Sequence, residues 1–179
     1  MKISIAKQIT KTSWATKALM IVLLLSPFIL VGGQCNPNNP PIVIPLGTNA
    51  MRLVASVEGD FAASDASAVD GGTFVTVNAS MPHGTGLINV QLQIPKQANP
   101  PYTVSVGTDA VPLISYCVSP DNATCHQFFA RKGTGSGTIT ISQLTPTVKG
   151  TFSGQLKLVP TVGTDVDRTI SDGEFNAGF

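Results

Sequence analysis

The sequence predicts an all-β fold, an antiparallel β-sandwich with a β-barrel as the alternative, preceded by an N-terminal signal segment. Three observations predict it. Apolar and polar residues alternate with a period of two over many short runs. Turn signals separate those runs, in a chain that holds 17 glycines and 13 prolines. Charged residues make up 12% and hydrophobic residues 42% of the 179 positions, a balance opposite to that of a disordered chain. A chain of this length holds one domain of ordinary size.

The first element is residues 1–34. Lys2, Lys7, Lys11 and Lys17 precede an apolar run from Ala18 to Val31 (ALMIVLLLSPFILV), and no acidic residue occurs before Glu58. A basic start, an apolar centre and small residues after it describe a secretory signal. The run is shorter than the roughly 20 apolar residues of a spanning helix, and Pro27 interrupts it. The other reading is an uncleaved membrane anchor, with Trp14 to Val31 stretching the span. Export ends in one of two ways. Val31 and Gly33 are the small residues expected ahead of a signal-peptidase cut before Gln34. Cys35, directly after the apolar run, is instead placed as the lipid acceptor of a bacterial lipoprotein, although Gly32 and Gln34 depart from the usual lipobox.

Residues 35–50 form the second element, a tether rich in Pro and Asn (CNPNNPPIVIPLG over 35–47) and expected to be extended. The folded domain is residues 51–179. Its strands are expected at Met51–Val57, Thr73–Asn78, Leu87–Ile94, Tyr102–Val106, Leu113–Val118, Cys125–Ala130, Gly137–Gln143, Val148–Leu158 and Arg168–Phe175. The clearest is Leu87–Ile94, with Ile88, Val90, Leu92 and Ile94 on one face and Asn89, Gln91 and Gln93 on the other. One apolar and one wet face describe antiparallel strands packed on a core. Turns are expected at Asp70-Gly71-Gly72, Pro82-His83-Gly84, Lys132 to Gly137 and Asp172-Gly173. No helix is expected beyond the signal.

Three cysteines leave an odd one in an exported chain. Cys117 and Cys125 bracket a segment whose Ser-Pro-Asp-Asn reads as a turn, so strands entering and leaving it bring the two together. A Cys117–Cys125 disulfide is expected in an oxidising compartment, and it leaves Cys35 over for lipid attachment or as a free thiol.

Chemistry is sparse. Beyond the signal, seven basic residues face ten acidic ones, which gives no electrostatic footprint for nucleic acid. Gly133–Gly137 (GTGSG) lacks the Gly-Lys-Ser/Thr of a phosphate loop and leads into a strand. His83 and His126 have too few partners for a zinc site, and no Gly-x-Ser-x-Gly elbow accompanies them. Glu58, Asp60, Asp65 and Asp70 form one carboxylate stretch, and Asp165, Asp167, Asp172 and Glu174 another. Neither has EF-hand spacing, so both read as solvated loop charge. Trp14 is the sole tryptophan and lies in the signal, which leaves few rings for stacking on sugars. Asn78-Ala-Ser80 and Asn122-Ala-Thr124 match a glycosylation triplet that carries no meaning in a bacterial chain. No catalytic residue, metal ligand or cofactor is expected.

Gly135–Ile141 (GSGTITI), Val148–Gly154 (VKGTFSG) and Arg168–Asn176 (RTISDGEFN) resemble a family of small exported Bacteroidota proteins, many of them predicted lipoproteins, with a β-rich domain of unknown function. Ala55–Gly59 (ASVEG) followed by Phe61, and Pro101–Val104 (PYTV), are similar to earlier strands of that family. The resemblance covers most of residues 51–179. The chain departs from the family in lacking a tryptophan near the first hairpin and in adding Cys117 and Cys125. The resemblance implies an envelope-located sandwich-like domain and supplies no catalytic residues.

The expectation is a non-enzymatic exported protein of a bacterial cell envelope, in the outer membrane, periplasm or cell surface. It would meet the membrane through an N-terminal lipid or signal anchor and act as a binding or scaffolding module. The alternatives are a barrel-like binder of a small apolar ligand and a subunit of an extracellular assembly. Its ligand or protein partner is not specified by the residues.

Overall fold

The computed structural model describes residues 45–121, 124–159 and 166–179. The expected signal segment, Cys35 and most of the expected tether lie outside the described residues. The strands belong to the compact unit Ile44–Phe179. In chain order they are β1 (Ala50–Ala55), β2 (Gly59–Ala63), β3 (Ser67–Asp70), β4 (Phe74–His83), β5 (Gly86–Pro95), β6 (Tyr102–Val106), β7 (Leu113–Ser119), β8 (His126–Ala130), β9 (Ser136–Gln143), β10 (Thr147–Leu158) and β11 (Arg168–Gly178). The fold is all-β and mostly antiparallel, and no helix occurs among the described residues.

Six strands pair in the order β2-β1-β11-β10-β9-β6, and five in the order β3-β4-β5-β7-β8. Two short contacts stitch these runs together. β8 pairs with the end of β10 at Phe129↔Lys157 and Phe128↔Leu158. β3 meets β11 in parallel at Ser67↔Gly178. The pairing therefore closes a circuit through β11, β3, β4, β5, β7, β8 and β10. The inner faces of the two runs also meet. Ile114 of β7 reaches the glycine pair Gly137 and Gly154 of β9 and β10, its Cδ1 standing 3.1 Å from where a Cβ on Gly137 would be.

Alternation explains the core. Val75, Val77 and Ala79 of β4, Ile88, Val90, Leu92 and Ile94 of β5, and Ile139 and Ile141 of β9 are all buried, while their neighbours face outward. Between β10 and β11 the core contains a reciprocal pairing of small and large residues. Gly150 stands opposite Phe175 and Phe152 opposite Gly173, with the two rings 6.1 Å apart. A Cβ on Gly173 would lie 2.5 Å from the Phe152 carbonyl oxygen, and one on Gly150 would lie 2.2 Å from that of Thr140. This packing accounts for the GTF and DGEF runs in the sequence.

Three sequence expectations change. β2 and β3 are strands where none was expected, since GDFAA and SAVD carry few of the β-branched and aromatic residues that mark strands. The expected turn at Pro82-His83-Gly84 starts later, because β4 runs to His83 and pairs there with Gly86. Asp172-Gly173 is no turn but a β-bulge inside β11. Arg52 pairs with Glu174 and Val54 with Ser171 on one side, while Phe152 pairs with Gly173 and Gly154 with Ile170 on the other, so one extra residue enters β11 against both neighbours. Asp172 sits at φ 50°, a left-handed conformation that Asp tolerates better than most residues. The bulge resets the pleat, so that Ile170 and Phe175, an odd number of residues apart, both point inward.

Candidate functional site

The outer face of the six-stranded run carries two rows of side chains that cross every strand. In register, the first row is Ala62, Arg52, Glu174, Thr151, Thr140 and Thr103. The second joins Asp60, Val54 and Ser171 to Ser153, Thr138 and Ser105, with the bulge displacing Ser153 from direct register. Hydroxyls touch across strands at Thr103–Thr140, 2.9 Å, and Thr138–Ser153, 3.3 Å. A bulge bends its strand and increases the local twist. Beside this one a cleft of about 730 Å³ opens, bounded by Arg52, Asp60, Thr151, Ser153, Asp172 and Glu174. Phe61 and Phe152 line its floor from the core.

The cleft continues in both directions along β10. Towards Lys149 a depression of about 280 Å³ shares Thr151 and Glu174 with it and ends at Pro45, Leu46 and Asn176. Towards Gln155 one of about 430 Å³ shares Thr138 and Ser153 and extends to Thr169. Together they make a groove along β10. Its central ion pair is Arg52, whose Nε and Nη2 donate to Glu174 Oε2 at 2.9 and 2.5 Å, with both side chains partly open to solvent. At the Lys149 end, Asn176 is 7% exposed. Its Nδ2 donates to the Leu46 carbonyl at 3.3 Å, and its Oδ1 has no hydrogen-bond partner.

A second polar cluster lies inside the fold. Glu58, between β1 and β2, accepts from Arg168 Nε at 2.8 and 3.0 Å and lies 2.7 Å from Arg168 Nη2. Arg168 Nη1 also donates to the Val166 carbonyl. The guanidinium stands 4.3 Å above the Phe128 ring, and the Tyr116 hydroxyl donates to Glu58 Oε2 at 3.3 Å. Burial, followed by the negative charge of Glu58, holds the Tyr116 phenol well above the usual tyrosine range. A small depression of about 130 Å³ touches Arg168 from the side of His126, Val118 and Pro120. All three guanidinium nitrogens of Arg168 are engaged within the protein, so the cluster acts first as a clamp on the fold.

The residues singled out in the sequence are distributed as follows. Cys117 and Cys125 form a disulfide, S–S 2.04 Å, with Cα atoms 5.7 Å apart. Cys35, the expected lipid site, lies outside the described residues. His83 closes the β4–β5 hairpin, and His126 opens β8. The carboxylates do not act as uniform solvated loop charge. Glu58 is buried in its ion pair, Asp65 accepts from Ser80 N and Oγ, Asp70 pairs with Lys96, and Asp60, Asp172 and Glu174 converge on the cleft. Among the described residues, no three His, Cys, Asp or Glu are placed to hold a metal ion. Sequence reasoning missed the Glu58–Arg168 pair, yet one signal for it exists. Arg168 occupies the inward parity shared with Ile170, where a charge needs a buried partner.

Comparison with protein-family models, with curated protein sequences and with solved structures finds no match to the chain.

Proposed function

We propose that the chain is an exported bacterial cell-envelope protein, similar to the small Bacteroidota lipoproteins its motifs resemble. In this reading it is attached through lipid at Cys35 or released by a cut before Gln34, and its domain binds rather than catalyses. The observation that carries the binding role is the groove along β10, an outward-facing concavity lined by hydroxyls, two amides and nearly balanced charges. The Cys117–Cys125 disulfide suits an oxidising compartment and supports export.

Two measurements test this reading. The intact mass of protein isolated from its own envelope, with and without reduction and alkylation, is expected to start at Cys35 plus acyl chains or at Gln34. A mass that includes residues 1–34 overturns cleavage. Retention on detergent-extracted envelope material is expected for the wild type, with the retained material chemically unchanged. Ser153→Trp, which fills the groove from an exposed position, is expected to weaken retention about tenfold. Equal retention of both proteins removes the groove from the proposal.

A further inference from the structure

We propose that the groove along β10 binds a neutral polysaccharide chain. The proposal rests on the reading of this face as a binding surface and names its ligand. The shape comes first. From Lys149 to Gln155 the groove follows six residue steps, roughly 20 Å at the rise of a β-strand, and it is open along its side. Such a site suits a linear polymer, several units of which lie along it, better than a compact solute.

The chemistry selects a neutral chain. Arg52 and Glu174 neutralise each other. The remaining charges, Lys149 at one end and Asp60 and Asp172 nearer the middle, have opposite signs, so a polyanion or a polycation meets repulsion as well as attraction. The other polar groups facing the groove are mainly hydroxyls. Each donates one hydrogen bond and accepts others, which is also the hydrogen-bonding character of a sugar hydroxyl. Rows of them at strand spacing offer repeated, interchangeable contacts to a repeating chain.

Asn176 adds an independent observation. Its Oδ1 is buried and unpartnered at the end of the groove. An unsatisfied buried acceptor is destabilising, and a small rotation of the amide that opens this oxygen to the groove would let a ligand hydroxyl donate to it and remove that penalty. The floor rings Phe61 and Phe152 are covered, with 2% and 3% exposure, so no aromatic platform stacks on the sugar. Affinity therefore accumulates through hydrogen bonds and rises with chain length.

The test is affinity electrophoresis of the intact mature protein through gels containing soluble mannan, xylan, mixed-linkage β-glucan or dextran, with polygalacturonate and chitosan as charged controls. At least one neutral polymer is expected to retard the protein, and its longer oligomers to bind more tightly than its disaccharide. Ser153→Trp is expected to weaken that binding at least tenfold. Asn176→Leu is expected to weaken it several-fold with little change in the thermal midpoint, since removal of the unpaired acceptor offsets the lost hydrogen bond to the Leu46 carbonyl. A merely structural asparagine would lower the midpoint and leave binding intact, and that result overturns its role. Retardation by none of the neutral polymers, by the charged controls alone, or equally for Ser153→Trp overturns the proposal. Retention on envelope material without retardation by neutral polymers removes the polysaccharide and leaves the binding module. Loss of both removes both.

Discussion

Strand β11 helps to form two arginine–glutamate pairs with opposite surroundings. At its start Arg168 meets Glu58 with both side chains 6% exposed. Six residues further on, Glu174 meets Arg52 with exposures of 32% and 42%. The chemistry is the same and the distances are similar. The first pair is removed from water, stacked on Phe128 and joined by the Tyr116 hydroxyl. The second lies in a groove among hydroxyls. Burial decides what each can do. Charges withdrawn from solvent must satisfy each other, whereas a solvated pair can exchange partners with a ligand at little expense.

The largest effect is expected from breaking the inner pair. Glu58→Ala leaves the Arg168 guanidinium buried and without its anion, and removal of one partner from a buried pair costs about 3–5 kcal/mol. Urea unfolding is the measurement. Replacing both partners, Glu58→Met with Arg168→Met, is expected to recover most of that loss, because well-packed apolar residues often match a buried ion pair. If the double variant is no more stable than Glu58→Ala, contacts of Arg168 beyond Glu58 are the greater part of its contribution.

A smaller loss is expected where the groove meets the core. Gly173→Ala places a methyl 2.5 Å from the Phe152 carbonyl oxygen, and backbone cannot swing aside as a side chain can. Overpacking of this kind costs about 1–3 kcal/mol. Gly173 belongs to the bulge and packs on Phe152, so Gly173→Ala should perturb amide signals of Asp172 and Ser153 on the outer face. A change confined to the core would show that the groove does not depend on this packing.

The inner cluster also predicts a pH response. An unfolded tyrosine titrates near 10, and Tyr116 is held above that by burial and by Glu58. A folded-state value raised above the unfolded one means that the contribution is fully present below about pH 10 and is lost as pH climbs towards the folded value. Tyr102 is also raised, by burial. Ultraviolet titration of native protein is therefore expected to show less phenolate at pH 10 than the same protein in denaturant, where both phenols titrate near there. A native phenol titrating at its ordinary value would show that the interior is wetter than this packing allows.

How far the fold and the groove were legible follows from the same contrast. Strands carried by Ile, Val and Leu at alternate positions, such as β5, were readable because a single window contains the signal. β2 and β3 were not, since Gly, Ala, Ser and Asp say little until their neighbours are known. The bulge was readable in principle. Ile170 and Phe175 cannot both face inward across an odd spacing without an extra residue, but Asp-Gly reads first as a turn. The groove was the least legible part. Its central row joins residues 52, 62, 103, 140, 151 and 174, and only register across six strands makes them neighbours. The short-range rule that makes cross-strand pairs sees a pair only after the pairing is fixed.

The smallest stability effect is expected at the outer pair, and its smallness is informative. Arg52→Ala removes an ion pair open to solvent, and such pairs contribute about 0–1 kcal/mol with further loss in salt. Urea unfolding is expected to show a change within that range at low ionic strength and none at high. Binding should respond in the opposite order. Without Arg52, Glu174 regains an unpaired carboxylate beside Asp60 and Asp172, so the groove becomes more anionic. Retention on envelope material is then expected to become salt-dependent, although wild-type retention, with its charges nearly balanced, depends on salt only weakly. A variant that unfolds as the wild type does but binds with a changed salt slope places Arg52 in recognition. A variant that loses stability by several kcal/mol would make the outer pair a second clamp and erase the contrast with the inner one.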